Sequence, residues 1–131
     1  MLFRSAEDPE KDRAAFRCGE LVMDLVRSDT RPSQFVTRAS IENAIAGIAG
    51  SGGSTNGVLH LLAVAHQFGV PLTIDEFGEI ADRTPIVADM RPGGRYTAAD
   101  LYDAGGVGLI ARELLNGGKI DGTVQIGRAH V

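Results

Sequence analysis

Apolar positions along this chain recur at helical spacing, and the strict alternation of a half-buried strand is almost absent. Ala14, Cys18, Leu21, Val22 and Leu25 follow an i, i+4, i+7 rhythm, with Lys11, Arg13, Arg17, Glu20 and Asp24 between them. The pattern predicts a helix from Ala6 to Arg27, capped by Ser5, with the apolar stripe buried. Pro9 falls in its first turn, where a missing N–H costs little. Ser28 to Ser33 reads as a loop. A second helix is predicted over Ala39–Ala49, capped by Thr37 or Ser40, with Ile41, Ala44, Ile45 and Ile48 on its buried face. Gly50-Ser51-Gly52-Gly53 breaks the chain, and a third helix runs from Thr55 to Phe68 with Ser54 as its N-cap. Gly69 and Pro71 stop it. Thr73-Ile74-Asp75-Glu76 is a capping box that opens a short helix to Asp82. Thr84 to Asp89 is expected to form a short strand, and Arg91-Pro92-Gly93-Gly94-Arg95 a turn. A second box, Thr97 to Asp100, opens a helix to Asp103. Ala104-Gly105-Gly106 interrupts, and a last helix spans Val107–Leu115 before Asn116-Gly117-Gly118.

One short strand is not stable without neighbours. The chain is therefore either an all-α domain or the helical part of an α/β domain whose other strands lie elsewhere. The third helix favours the second reading. Val58, Leu59, Leu61, Leu62, Ala63, Val64, Ala65 and Phe68 make it apolar nearly all round, as in helices buried within a larger body.

At 131 residues the chain fits one domain, and 44% apolar content is ordinary for a globular protein. A net charge of -4 without a basic patch argues against nucleic acid as partner. No apolar run approaches the ~20 residues of a membrane span. The first residues lack a basic segment followed by an apolar one, so no secretory signal is read, and a cytoplasmic location is expected. Cys18 is the lone cysteine, which excludes an internal disulfide, and one thiolate does not hold an iron–sulfur cluster. The last six residues, Ile126 to Val131, are what ATC GGA AGA GCA CAC GTC encodes. That string matches a short-read sequencing adapter. Residues 126–131 are accordingly expected to be a scar, with 1–125 the protein proper.

The chemistry-bearing stretch is Gly52-Gly53-Ser54-Thr55-Asn56, with His60 one turn further on. A helix start carries unpaired N–H groups and the positive end of the helix dipole, which suits an anion such as a carboxylate. Asn56 and His60 are four apart and share a face. Two readings stay open: an anion or substrate contact by Ser54 and Thr55 oriented by Asn56 and His60, or a capped helix whose glycines merely allow close packing. His66 is explained by the favourable dipole at a helix C-terminus. Asp75 and Glu79 share a helix face with no histidine at metal-binding spacing, as a solvated face would. Gly105-Gly106-x-Gly108 lacks the companions of a dinucleotide or phosphate loop.

In order along the chain come Ile41-Glu42-Asn43-Ala44-Ile45, then Gly52-Gly53-Ser54-Thr55-Asn56-x-x-Leu59-His60-Leu61, then Pro85 through Tyr96, then Ala104-Gly105-Gly106, and finally Arg112-Glu113-Leu114-Leu115 with Gly118. This series resembles the dihydroxy-acid dehydratases over nearly all of Ala6 to Thr123. The sister sugar-acid dehydratases, phosphogluconate dehydratase among them, share the Gly-Gly-Ser-Thr-Asn and Ala-Gly-Gly segments. The stretch Ala88 to Tyr96 looks closer to the branched-chain amino-acid enzyme.

The resemblance implies a chain several times longer. An α/β domain would carry an iron–sulfur cluster, of [2Fe-2S] or [4Fe-4S] type, and Mg²⁺. A β-barrel-like domain would supply a catalytic serine. The implied reaction removes water from a 2,3-dihydroxy acid to give a 2-oxo acid in branched-chain amino-acid biosynthesis, in an enzyme that is a homodimer or larger. The family's cluster cysteines, its Cys-Asp-Lys metal motif and its serine segment have no counterpart here. The expectation is an internal slice of the N-terminal α/β domain, mostly helical, binding no metal itself and inactive alone. Only Gly52, Gly53, Ser54, Thr55, Asn56 and His60 carry over, as positions bordering a substrate site and none of them catalytic. The rivals are a sugar-acid dehydratase and a free-standing helical module that binds anions.

Overall fold

The computed structural model describes residues 9–124, and Ser5, the predicted helix start at Ala6 and the segment 126–131 lie outside them. Six α-helices follow one another: α1 (Glu10–Arg27), α2 (Arg38–Gly50), α3 (Asn56–Gln67), α4 (Ile74–Asp82), α5 (Ala98–Ala104) and α6 (Val107–Asn116). A single 3₁₀ turn, Pro32–Gln34, interrupts the first loop. The described residues contain no strand. The short strand expected over Thr84–Asp89 is not formed, because no extended partner lies beside it. What remains of β pairing is one isolated bridge between Met90 and Tyr96.

Helix α2 is the hub. It packs against α3, α4 and α6, and its buried residues Ile41, Ile45 and Ala46 sit at the centre. Ile41 and Ile45 join Ala65 of α3 with Phe77 and Ile80 of α4 in the larger core cluster, which Val58 and Leu61 flank. A second, smaller cluster joins Leu101 of α5 to Ile110 and Leu114 of α6. Reciprocal capping boxes open three helices. Thr37 pairs with Ser40, Thr73 with Glu76 and Thr97 with Asp100, each side chain serving the other's backbone N–H. Thr37 and Ser40, weighed as alternative caps, thus act together.

Helix α1 departs from the expectation. It forms, as its periodicity demands, but none of its residues is buried and it contacts no other helix. Cys18, Leu21 and Val22 of the predicted buried stripe are exposed, with Ala14 and Leu25 only partly covered. Periodicity reveals that a face is apolar; it does not supply the surface that covers it. Helix α3 shows the same on one side: Val58, Leu61 and Ala65 turn inward, whereas Leu59 is 66% exposed and Val64 38%.

Candidate functional site

The link between α2 and α3 is set by glycines. Gly52 sits at φ +64°, a left-handed backbone that side-chain-bearing residues disfavour. Its N–H donates to Ala49 O at 3.1 Å, and the Gly53 N–H donates to Ile48 O at 2.8 Å. A Cβ on Gly53 would stand 2.9 Å from Ile48 Cγ2 and 3.0 Å from Ile48 O, and one on Gly57 would stand 2.6 Å from Ile48 Cδ1. Ile48 therefore fills the space that the absent side chains of Gly53 and Gly57 leave, which lets α3 turn back tightly on α2.

The start of α3 is more fully satisfied than the sequence suggests. Asn56 N–H donates to Ser54 Oγ at 3.2 Å. Gly57 N–H donates to Ser54 O at 2.9 Å, and Val58 N–H to Thr55 O at 3.1 Å. The residue at the helix boundary is Thr55, in helical conformation and without a side-chain cap bond, rather than Ser54. The first helical N–H groups are thus consumed locally by tight i→i+3 bonds. Among the described residues, no acceptor meets the N–H groups of Ser54 and Thr55. Gly53, Ser54, Thr55, Asn56 and His60 are all exposed, and Gly52 is half-buried. Asn56 and His60 lie one turn apart on the open side of α3, as their spacing predicts. The six residues thus lie along the turn and the first two turns of α3, five of them exposed.

A second loop leans on this turn. Gly50 O, at the end of α2, accepts from Val87 N–H at 2.8 Å and Ala88 N–H at 3.0 Å. The carbonyls of Ala88 and Met90 come within 3.9 Å of where a Gly52 Cβ would sit. Beyond it the chain folds on itself. Arg95 and Tyr96 N–H both donate to Asp89 O at 2.9 Å, and Arg91 N–H donates to Tyr96 O at 2.8 Å. Arg95 Nε donates to Asp89 Oδ2 at 2.8 Å, which raises the pKa of its guanidinium, and that guanidinium lies 5.4 Å from the Tyr96 ring centre.

Sequence reasoning missed a polar cluster at the other end of α2. Arg38 donates to Glu42 at 2.7 Å and lies 3.0 Å from Glu76, while Arg83 reaches Glu42 at 3.6 Å. Glu42 and then Glu76 hold the Arg38 pKa above its ordinary value. Glu76 is held below the carboxylate range, first by the Thr73 N–H and then by Arg38. Beside them Asn43 pairs with the backbone of Asp121 in both directions, Nδ2 donating at 2.9 Å and Oδ1 accepting at 2.8 Å. Glu42, Asn43, Arg83, Lys119 and Asp121 border a cleft of about 450 Å³. Its charges are of both signs and largely matched. Only the Arg38–Glu42 pair has a local spacing that the sequence could have offered; the other partners are far apart along the chain. Among the described residues no group of three or more His, Cys, Asp or Glu side chains is placed to hold a metal ion.

Among the described residues the body is all-helical, and its Gly-Gly-Ser-Thr-Asn turn leaves the N–H groups of Ser54 and Thr55 without an acceptor. The sequence profile described as "Dihydroxy-acid/6-phosphogluconate dehydratase N-terminal" matches residues 3–128, and the chain belongs to that family. A dihydroxy-acid dehydratase of Koribacter versatilis is 59% identical over 106 residues, covering 81% of this chain and 18% of its own length. One from a Roseiflexus species is 51% identical over 117 residues, 89% of this chain and 21% of its own. Another from Thermus thermophilus is 48% identical over 117 residues, with the same coverage. The chain spans about a fifth of the length of these curated relatives.

Proposed function

We propose that this chain is a structural and substrate-bordering part of a dihydroxy-acid dehydratase. The whole enzyme would be a hydro-lyase that converts a branched-chain 2,3-dihydroxy acid to a 2-oxo acid in amino-acid biosynthesis. The observation that carries the reading is the 51% identity to a dihydroxy-acid dehydratase over 89% of the chain. The family description also covers 6-phosphogluconate dehydratase, which keeps a sugar acid as the second substrate class. Relatives named for the dihydroxy acid favour the first. The free-standing module is disfavoured by the uncovered apolar faces of α1 and α3.

In this reading the mostly helical chain is one slice of a larger α/β domain. The whole enzyme would be cytoplasmic and at least a homodimer. Its iron–sulfur cluster and Mg²⁺ would take their ligands from outside this chain. The described residues do not fit them: Cys18 is lone and exposed, and among those residues no group of three or more His, Cys, Asp or Glu is placed to hold a metal ion. No catalytic step is therefore assigned to this chain. The task left to it is positional. Gly52 and Gly53 shape the turn, and the Ser54 and Thr55 N–H groups and hydroxyls face the substrate carboxylate, with Asn56 and His60 along the same surface.

A chimera tests the reading. This chain replaces the stretch it matches in the Roseiflexus relative, and the purified, cluster-loaded protein is assayed on a branched-chain dihydroxy acid and on 6-phosphogluconate. Turnover of the first only supports the proposal. Turnover of the second alone would transfer it to the sugar-acid branch, and a folded chimera with neither activity would end it.

A further inference from the structure

Helix α1 has two unlike sides. At 100° per residue its apolar arc runs from Leu21 through Cys18, Val22 and Val26 to Met23 and Phe16, roughly 220° of the circumference. Phe16 is 72% exposed, Val26 68% and Leu21 59%. Lys11 and Asp12 break this arc only in the first turn. The remaining arc carries Arg13, Arg17, Glu20, Asp24 and Arg27, and two ion pairs form along it within the helix. Glu10 bridges to Arg13, and Asp24 to Arg27 at 3.3 Å. One side is finished for water and the other is bare.

The width of the bare side decides what covers it. A second copy of the helix would meet it along a narrow seam, two positions in seven, and leave most of the arc wet. An arc of more than half the circumference fits a helix sunk into a groove, with only its charged ridge showing. The other helices among the described residues do not provide that groove, since none of them touches α1. The curated relatives hold about four-fifths of their length outside the stretch this chain matches. Resting on the dehydratase reading above, we infer that α1 is embedded, apolar arc inward, in that remainder of the dehydratase polypeptide. It would act there as the element that anchors this helical unit to the rest of the enzyme.

Cys18 lies inside the apolar arc, between Leu21 and Val22, which makes it a reporter. In the Roseiflexus chimera, alkylation by N-ethylmaleimide is followed by mass spectrometry of the Cys18 peptide, alongside a Glu20→Cys variant on the charged ridge. The expected result is Cys18 labelling on the order of 100-fold slower than a free cysteine peptide, as for a site reached only by local opening. Cysteine at position 20 should label at the peptide rate. Equal labelling at both positions in the folded chimera would overturn the inference. So would Cys18 protection that vanishes on dilution to the monomer, because a second copy would then be the cover. Neither readout depends on turnover, so the inference and the dehydratase reading fail separately.

Discussion

Replacing Gly53 with alanine probes the tight return of α3 on α2. The new methyl would meet Ile48 Cγ2 at 2.9 Å and the Ile48 carbonyl oxygen at 3.0 Å, against the 3.4–4 Å of ordinary contact. The oxygen belongs to backbone already fixed by the Gly53 N–H bond at 2.8 Å. Relief requires the link between the two helices to open by several tenths of an ångström. Overpacking of this kind costs about 1–3 kcal/mol. Weakening the hydrogen bond adds about 1 kcal/mol. Against these, the stiffer unfolded chain returns about 0.4–1 kcal/mol. The balance is a loss of roughly 1–3 kcal/mol, or a fall in Tm of about 3–5 °C per kcal/mol lost. Gly47→Ala is the matched control. A Cβ there meets nothing within 4 Å, and the site lies inside α2, so helix propensity should raise stability by about 0.5–1 kcal/mol. Urea titration of the chain and both variants by far-UV circular dichroism reads the difference. A Gly53→Ala protein as stable as Gly47→Ala would refute the close approach at Ile48.

Asn43→Ala removes both bonds to the Asp121 backbone and should cost about 1–3 kcal/mol, with faster amide exchange over residues 119–123 as the local sign. Thr73→Ala removes one half of a capping box and should cost about 0.5–2 kcal/mol in the same titration. Acid sensitivity follows from Glu76, Asp100 and Asp121, all of whose pKa values are lowered by native hydrogen bonds. Their contribution is fully present above the unfolded values of 4.5 for Glu76 and 3.8 for the aspartates, and is lost as pH falls through the lower folded values. Glu76→Gln combined with Asp100→Asn should flatten the decline below pH ~4.5, and an unchanged slope would count against it. In the active chimera, Ser54→Ala and Asn56→Ala are expected to raise KM several-fold with kcat little changed, since uniform binding is what they would supply. A selective loss of kcat would mean a more direct role.

The local grammar of this fold could be read from the sequence because it depends on neighbours three or four residues apart. The boxes at Thr73 and Thr97 and the stops at Gly69 and Gly118 are of that kind, and the structure has them where spacing put them. The site turn was legible as a glycine-broken helix start. Its hydrogen bonding was not, because Ser54 spends both its Oγ and its carbonyl on N–H groups expected to be open. The Asn43–Asp121 pair spans 78 positions, and nothing local marks either partner. The stripe of α1 is legible as apolar, but what covers it is not: the described residues leave it exposed, and a pattern along one helix does not contain the second surface that burial requires. Thr84 to Asp89 has strand-like composition, yet strand formation needs a ladder partner, and the N–H groups of Val87 and Ala88 go to a helix end instead.

That last arrangement has a mechanical consequence. One oxygen, at Gly50, holds the stretch 87–88, and the same residue leads directly into the Gly52–Asn56 turn. The two loops hang from a common pivot, so neither can swing without tugging the other. A ligand that pulled the Ser54 backbone outward would drag on the Arg91–Tyr96 fold through this shared hinge point. Conversely, a clamp on that basic loop would stiffen the turn from behind.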